Sequence, residues 1–240
     1  MNQKKIGVVG LGAMGLGMAG SLRRAGFDVH VCDIRKQAAQ DFVKDGGVAH
    51  DTPTDLAKHV DIIVGVVVNA DQTEALLFGD QGAANSMSKG SLYIMCSTVD
   101  PNWSIALEKR LNELGLLYLD APISGGAAKA ASGQMTIMSA GAPLAYEKAG
   151  DALDSMAAKV YKLGDQAGAG SKVKIINQLL AGVHIAAAAE AMALGLREGV
   201  AADALYEVIT NSAGNSWMFE NRMAHVLAAD YTPLSAVDIF

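Results

Sequence analysis

Short apolar runs rich in β-branched residues alternate with amphipathic segments over the first two thirds of this 240-residue chain. The apolar runs predict strands at residues 6–9, 28–32, near Val48, 61–68, 92–96, 116–119, 135–139 and 160–163. Helical periodicity is found at residues 14–25, 36–45 and 101–114. Because strands and helices alternate, the pattern predicts an α/β domain with a doubly wound, mainly parallel sheet.

The pattern changes after Gly164, where the strand signals end and helical segments follow at 168–196, 201–212 and 216–227. We therefore expect an α/β domain at residues 1–165 and an all-α domain at 166–240. Residues 179–196 are long and apolar enough to span a bilayer, but His184 and Glu190 would be costly inside one. The prediction is instead a central helix enclosed by its neighbours, with His184 in the core and no membrane partner.

Composition narrows the classes of function. With 51% hydrophobic residues the chain can bury a core, which excludes intrinsic disorder. Its 25 acidic and 19 basic residues give a formal charge of -6, so no nucleic-acid partner is expected. The two distant cysteines, Cys32 and Cys96, indicate neither a disulfide framework nor a metal site. A cytoplasmic protein fits this cysteine usage.

The first predicted strand leads into Gly10, Gly12 and Gly15, a G-x-G-x-x-G spacing that opens a helix. In that context the glycines permit a tight turn, the approach of a pyrophosphate and close packing of helix on strand, as in a Rossmann-type domain. Asp33 ends the second strand, where a carboxylate would bind the adenosine ribose and favour NAD over NADP. The predicted cofactor-binding residues here are Gly10, Leu11, Gly12, Ala13, Met14, Gly15, Asp33, Ile34 and Arg35.

Two alternatives remain open for this segment. The glycines could form an ordinary strand–helix turn, and Asp33 could cap a helix. Arg35 also weakens the expected preference for NAD, because an arginine two residues after the acid can bind the 2′-phosphate of NADP. NADP is therefore the less favoured cofactor.

A second candidate site is Ser124-Gly125-Gly126, which follows a predicted strand. Successive N–H groups in a glycine turn can bind an anion, and the serine hydroxyl adds a donor, so a substrate carboxylate fits there. A plain turn is the alternative. Lys174 lies in the long apolar helix with Gln178 one turn later on the same face. Desolvation would lower its pKa and let a neutral amine take a hydroxyl proton, although a lysine extended to solvent is the commoner arrangement.

Four motifs occur in order along nearly the whole chain: Gly10-Leu11-Gly12-Ala13-Met14-Gly15, Ser97-Thr98-Val99-Asp100-Pro101, Asp120-Ala121-Pro122-Ile123-Ser124-Gly125-Gly126, and Gly168-Ala169-Gly170 leading to Lys174. Together they resemble the β-hydroxyacid dehydrogenase family, which includes 3-hydroxyisobutyrate dehydrogenase. The resemblance implies that Lys174 is catalytic and that Thr98 and the segment Val67-Val68-Asn69 contact the cofactor. Gln178 stands where most relatives have asparagine.

The run 170–180 is most similar to the branch of this family that oxidises the C2 hydroxyl of a four-carbon sugar acid such as L-threonate. Another hydroxy acid or tartronate semialdehyde remains an alternative substrate. Imine reduction and a non-catalytic nucleotide-binding module remain alternative functions. A homodimer or homotetramer is expected, because an apolar helix in a small domain needs a partner to cover it. The resemblance also implies a Lys-Asp pair beyond Phe240, so the helical domain is expected to be incomplete.

Overall fold

The computed structural model describes residues 4–232, and its main feature is a six-stranded parallel sheet. The strand order is β3-β2-β1-β4-β5-β6, with the order reversing beside β1. The strands are β1 Lys5–Val9, β2 Asp28–Cys32, β3 Val48–Ala49, β4 Ile62–Gly65, β5 Leu92–Met95 and β6 Leu117–Asp120. This is the doubly wound order in which ligands bind at the carboxyl ends of the strands.

Helices connect these strands, and several of them begin at residues suited to a helix N-terminus. Asp100 caps α5 by accepting hydrogen bonds from the amides of Asn102 and Trp103, and Pro101 occupies the first turn. The helices of this part are α1 Gly15–Arg24, α2 Lys36–Lys44, α3 Pro53–Ala57, α4 Ala70–Phe78 and α5 Pro101–Glu113, with a 3-10 turn at Ala84–Ser86. The predicted fold class is confirmed.

Two hydrophobic clusters pack on opposite faces of the sheet. Ile62 and Val64 of β4 join one cluster and Ile63 joins the other, as the two-residue period of a strand requires. All three side chains are buried. Burial on both faces explains why the central strands have continuous apolar sequences rather than alternating ones.

A second, three-stranded sheet follows, which the sequence pattern did not predict as a separate unit. It contains β7 Ile123–Ser124, β8 Met135–Ser139 and β9 Ala157–Lys162, with β7 antiparallel to β8 and β8 parallel to β9. Three short helices, α6 Gly126–Ala131, α7 Pro143–Ala149 and α8 Asp151–Met156, lie between these strands in sequence. They are six or seven residues long, too short for a clear helical periodicity.

The remaining helices are α9 Ala169–Arg197, α10 Ala202–Thr210 and α11 Trp217–Leu227. The chain divides into two compact units, Met1–Lys174 and Ile175–Phe240, so the division falls within α9. The proposed boundary near Asp165 stays a prediction. The second unit has its own small core, formed by Ala188, Met192, Phe219 and Met223.

The prediction that residues 179–196 are enclosed is wrong for the described residues. By length and composition α9 is the one helix within residues 4–232 that could cross a membrane, yet most of its apolar side chains are exposed. His184, expected in the core, is also exposed. The physical reason is that α10 and α11 contact α9 through one stripe, centred on Ala188 and Met192. The apolar end of the sequence at 236–240 lies outside the described residues.

Candidate active site

The turn after β1 has the geometry that a pyrophosphate-binding loop requires. Gly10 has φ +95°, a conformation that residues with a Cβ rarely adopt. A Cβ on Gly15 would lie 1.8 Å from the Gly10 carbonyl oxygen, so α1 packs directly against the turn. A Cβ on Gly12 would meet no atom within 4 Å, so the loop is open there. No side chain caps the described N-terminus of α1, whose dipole therefore favours an anion.

Asp33 lies directly after β2 and links this strand to the glycine loop. Its carboxylate accepts hydrogen bonds from the Leu11 amide at 2.5 Å and the Arg35 amide at 2.7 Å. The Arg35 guanidinium donates to Asp33 at 3.3 Å and to the Leu11 carbonyl at 2.9 Å. Arg35 is therefore held against the acid that would exclude a 2′-phosphate. Ile34, between them, is 97% exposed.

The ends of β4 and β5 lie side by side, which brings two predicted cofactor segments together. The Ser97 hydroxyl donates to the Val67 carbonyl at 2.8 Å and lies 3.0 Å from the Thr73 hydroxyl. Thr98 follows on the loop and is partly exposed. Asn69 caps α4 by accepting from the Gln72 amide, so this residue has a structural role whether or not it contacts a cofactor. The exposed Val68 lies between Val67 and this cap.

The Ser124-Gly125-Gly126 segment lies in the second sheet rather than directly after β6. Ser124 is the last residue of β7 and is paired with Thr136 of β8. Gly125 and Gly126 have φ angles of 142° and 78°, which residues with a Cβ rarely adopt. This sharp turn leaves Ser124 and both glycines partly exposed. A carboxylate could therefore reach the serine hydroxyl and the neighbouring backbone.

The start of α9 is anchored on Asp120, a residue fully buried at the end of β6. Its carboxylate accepts hydrogen bonds from the amides of Gly168 and Ser171, at 2.8 and 3.0 Å, and from the Ser171 hydroxyl at 2.6 Å. Burial raises the pKa of the Asp120 carboxyl, while these three donors favour the ionised form. A carboxylate at a helix N-terminus is also stabilised by the helix dipole.

Gly170 explains why the segment before Lys174 contains small residues. A Cβ there would lie 2.4 Å from the Met138 carbonyl oxygen and 2.8 Å from that of Asp120. Only glycine allows the first turn of α9 to approach the backbone of both strands this closely. The helix therefore starts at a fixed distance and rotation relative to β6 and β8.

Lys174 follows Ser171 by three residues, about one helical turn, on this anchored segment. Only 7% of the residue is exposed, and burial lowers the pKa of its amine to about 8. Lys172, two residues earlier, is exposed as expected. Gln178, one turn beyond Lys174, is also buried. A buried amine that loses its proton near pH 8 can act as a general base or, when protonated, as an acid.

The sequence indicated Lys174 as a candidate catalytic residue but not the residues that anchor its helix. Asp120 and Ser171 lie 51 positions apart, so no local pattern connects them. The one available signal was an acidic residue at the end of a predicted buried strand. An ionisable residue at that place needs hydrogen-bond donors, and the start of a helix supplies them.

Comparison with known proteins identifies both parts of the chain. Residues 5–164 match a family described as the NAD binding domain of 6-phosphogluconate dehydrogenase. Residues 168–240 match a family described as "NAD-binding of NADP-dependent 3-hydroxyisobutyrate dehydrogenase". The chain belongs to the β-hydroxyacid dehydrogenase family. It is an oxidoreductase that uses NAD to oxidise a small hydroxy acid.

Individual members of this dehydrogenase family are similar over nearly the entire chain. L-threonate dehydrogenase from Cupriavidus necator is 64% identical over 237 residues, which cover 99% of this chain and 80% of that protein. L-threonate dehydrogenase from Pectobacterium atrosepticum is 50% identical, covering 98% of this chain and 78% of that protein. The crystal structure of 3-hydroxyisobutyrate dehydrogenase from Salmonella typhimurium has a TM-score of 0.94 and 48% identity, covering 99% and 83% of the two chains.

Proposed function

We propose that this dehydrogenase oxidises the C2 hydroxyl of L-threonate to the 2-oxo acid, with Lys174 as the general base. Relatives named L-threonate dehydrogenase, at 64% and 50% identity, support the substrate. The buried amine of Lys174, with its pKa lowered to about 8, is the observation that supports the chemistry. An amine with an ordinary lysine pKa would be almost wholly protonated at neutral pH and could not accept a proton.

The glycine loop and the ends of β2, β4 and β5 fit a dinucleotide. Loop residues would hold the pyrophosphate, Asp33 the adenosine ribose, and Thr98 with Val67 the nicotinamide half. The open space at Gly12 and the orientation of the Asp33 carboxylate support this assignment. Bound NAD+ supplies the acceptor for the hydride that leaves C2.

The substrate-binding residues proposed are Ser124, Gly125, Gly126 and Gln178. The serine hydroxyl and the backbone of the glycine turn would bind the carboxylate, as the positive φ angles and partial exposure of this turn allow. Gln178, one turn beyond Lys174, would bind a hydroxyl farther along the acid. The Lys174 amine would take the proton of the C2 hydroxyl, and loss of the C2 hydride would leave a C2 carbonyl.

Steady-state formation of reduced nicotinamide with a panel of acids tests the substrate. We expect turnover with L-threonate, and at least tenfold lower kcat/KM with glycerate and 3-hydroxyisobutyrate. Lys174→Ala should abolish turnover while the Kd for NAD stays within about twofold of wild type. Lys172→Ala is the matched control, because it removes an exposed amine from the same helix turn and should keep full activity.

A second candidate function is oxidation of a 3-hydroxy acid. The 48% identical structure named 3-hydroxyisobutyrate dehydrogenase favours it. The two substrates differ in the distance between the carboxylate and the reacting carbon by one bond. Higher kcat/KM with 3-hydroxyisobutyrate than with L-threonate would establish this alternative, and NAD binding without turnover of any acid would indicate a nucleotide-binding module.

We also propose that the enzyme works in the cytoplasm as a homodimer or homotetramer. Exposed apolar side chains on α9, among them Leu179, Leu180 and Val183, support burial against a second copy. Light scattering after size exclusion should give at least twice the 24.9 kDa chain mass. Val183→Glu should shift this mass toward the monomer, and a wild-type monomer at micromolar concentration would contradict the proposal.

A further inference from the structure

The rings of three histidines lie close together beside β2 and β3, and the dehydrogenase chemistry uses none of them. His30 lies on β2, His50 follows β3, and His59 follows α3. The ring centroids of His30 and His50 are 5.0 Å apart, and those of His50 and His59 are 4.9 Å apart. Asp55, in the first turn of α3, lies among them. We propose that His50, Asp55 and His59 form a binding site for a divalent transition metal of the zinc class.

Distance is the first argument for this site. One ligand atom from each of the three residues lies within 4.8 Å of the other two. A tetrahedral ion with bonds of about 2.0–2.2 Å to nitrogen and oxygen needs its ligands about 3.3–3.6 Å apart. Small rotations of Asp55 and His59 would close this difference, since these two side chains are accessible to solvent, while the buried His50 ring can stay in place. A water molecule would complete the four ligands, as in other sites with three protein ligands.

The hydrogen bonds of His59 fix which of its nitrogens can bind a metal. Its Nδ1 lies 2.9 Å from the Asp55 carbonyl oxygen, which can only accept, so Nδ1 carries the proton. Nε2 then has the lone pair that a metal needs. A metal-binding histidine usually donates its other N–H to a carbonyl or carboxylate, and His59 already does so.

His50 has the corresponding support on its far side. Its Nδ1 faces the Asp55 carboxylate at 2.8 Å, where a metal would replace the proton between them. Its Nε2 lies 2.7 Å from Nδ1 of the buried His30. With a metal on Nδ1, the Nε2–H of His50 would donate to His30, whose own Nε2 faces the Asp28 carboxylate at 3.6 Å. A chain of two imidazoles ending on a carboxylate would thus orient the ligand.

The donor set selects the class of metal. Two imidazoles and one carboxylate suit Zn²⁺, Co²⁺ or Ni²⁺, whereas Mg²⁺ and Ca²⁺ prefer an all-oxygen set. Binding would join the segment after β3, the first turn of α3 and the residue pair after α3. The regular elements in this stretch are short, since β3 has two residues and α3 has five. The ion would therefore cross-link these segments beside β2.

Metal titration of untagged, chelator-treated full chain tests the site. We expect one Zn²⁺ per chain with a Kd below about 1 µM, measured by competition with a chromophoric chelator, and an upward Tm shift of several degrees at saturation. Co²⁺ should give the visible absorption of a tetrahedral ion. Asp55→Asn and His59→Ala should each weaken binding at least 100-fold, and both should fold because neither side chain is buried.

Two further variants separate this site from nonspecific binding. His30→Gln should weaken Zn²⁺ by about 10- to 100-fold, as loss of an outer hydrogen-bond partner does. His225→Ala is the matched control, because His225 also faces a carboxylate, that of Asp230 at 3.3 Å, and should leave the affinity unchanged. Equal affinities in wild type and His59→Ala, or half-saturation only at millimolar Zn²⁺, would overturn the proposal.

Discussion

The Asp120 carboxylate accepts a hydrogen bond from the Ser171 hydroxyl across 2.6 Å, which joins the last residue of β6 to the first turn of α9. Asp120 also accepts from two backbone amides of the same segment. Lys174 lies one turn farther along this helix. The position of the amine is therefore determined by a carboxylate at the end of the sheet.

Two replacements of Asp120 should show whether its hydrogen bonds, rather than the mere presence of a side chain of that size, hold the start of α9 in place. Asp120→Ala leaves two buried amides and one hydroxyl without an acceptor, and should lower the free energy of unfolding by about 2–4 kcal/mol. Asp120→Asn can keep one oxygen toward the amides and donate its NH2 to Ser171, so it should cost less than half as much. Urea unfolding of both variants measures the difference. Equal losses would show that the hydrogen-bond geometry is unimportant.

The pH dependence of turnover should follow the Lys174 amine. Burial lowers its pKa to about 8, so the neutral base forms as the pH rises through that value. We expect kcat/KM for alcohol oxidation to rise about tenfold per pH unit below pH 8 and to level off above it. Reduction of the oxo acid needs the ammonium form, so its rate should be level below pH 8 and decline about tenfold per pH unit above it.

Initial rates in both directions between pH 6 and 10 provide this measurement, with the Kd for NAD followed in parallel. A Kd that stays constant shows that the profile reports the chemical step rather than cofactor binding. An oxidation rate that is flat across pH 8 would contradict the assignment of Lys174 as the base.

Cofactor choice should depend on the charge of Asp33. Asp33→Asn keeps an oxygen for the Leu11 amide but removes the negative charge that a 2′-phosphate would meet, and it releases Arg35. We expect the ratio of kcat/KM for NAD to that for NADP to fall at least tenfold, equivalent to about 1.4 kcal/mol. Asp51→Asn is the control, because it removes an exposed acid that pairs with Lys36. An unchanged ratio in Asp33→Asn would contradict this role.

Two helix glycines should respond oppositely to alanine. Gly170→Ala places a methyl group against two backbone carbonyl oxygens that cannot move freely, and should cost about 1–3 kcal/mol and reduce kcat. Gly20→Ala in α1 meets only the flexible end of Arg24, at 3.3 Å, and should be neutral or stabilising by up to about 1 kcal/mol. Denaturation midpoints and initial rates of both variants test the contrast. A neutral Gly170→Ala would mean that α9 can shift its position.

Much of the first unit could be predicted from sequence because its signals are local. The strands at 28–32 and 135–139 were predicted with the bounds that the structure has, since their apolar runs are flanked by polar or glycine residues. Short helices such as α3 and α6 were missed because five or six residues do not establish a period. The long helix was identified, but its burial was wrong because periodicity does not reveal what covers a helix.

Candidate site residues could be proposed from sequence only where they form a motif of consecutive residues. The glycine loop and the turn at Ser124 belong to this group. The anchor at Asp120 and the cluster of His30, His50 and His59 depend on contacts between separate elements of the fold. The two cysteines indicated no metal site, and the sequence pattern did not reveal that His50, Asp55 and His59 face one another, because β3 and α3 are too short to establish a strand or helix period.

The close approach of Gly170 to the backbone of β6 and β8 restricts where insertions and deletions can be tolerated in this part of the sequence. An α-helix turns by about 100° per residue, so one inserted or deleted codon between Gly168 and Lys174 would rotate the amine to another side of the helix. Lengthening the loop before Gly168 carries no such penalty, because the helix can still dock on Asp120. Natural length variation should therefore accumulate ahead of that glycine and be absent from the following six positions.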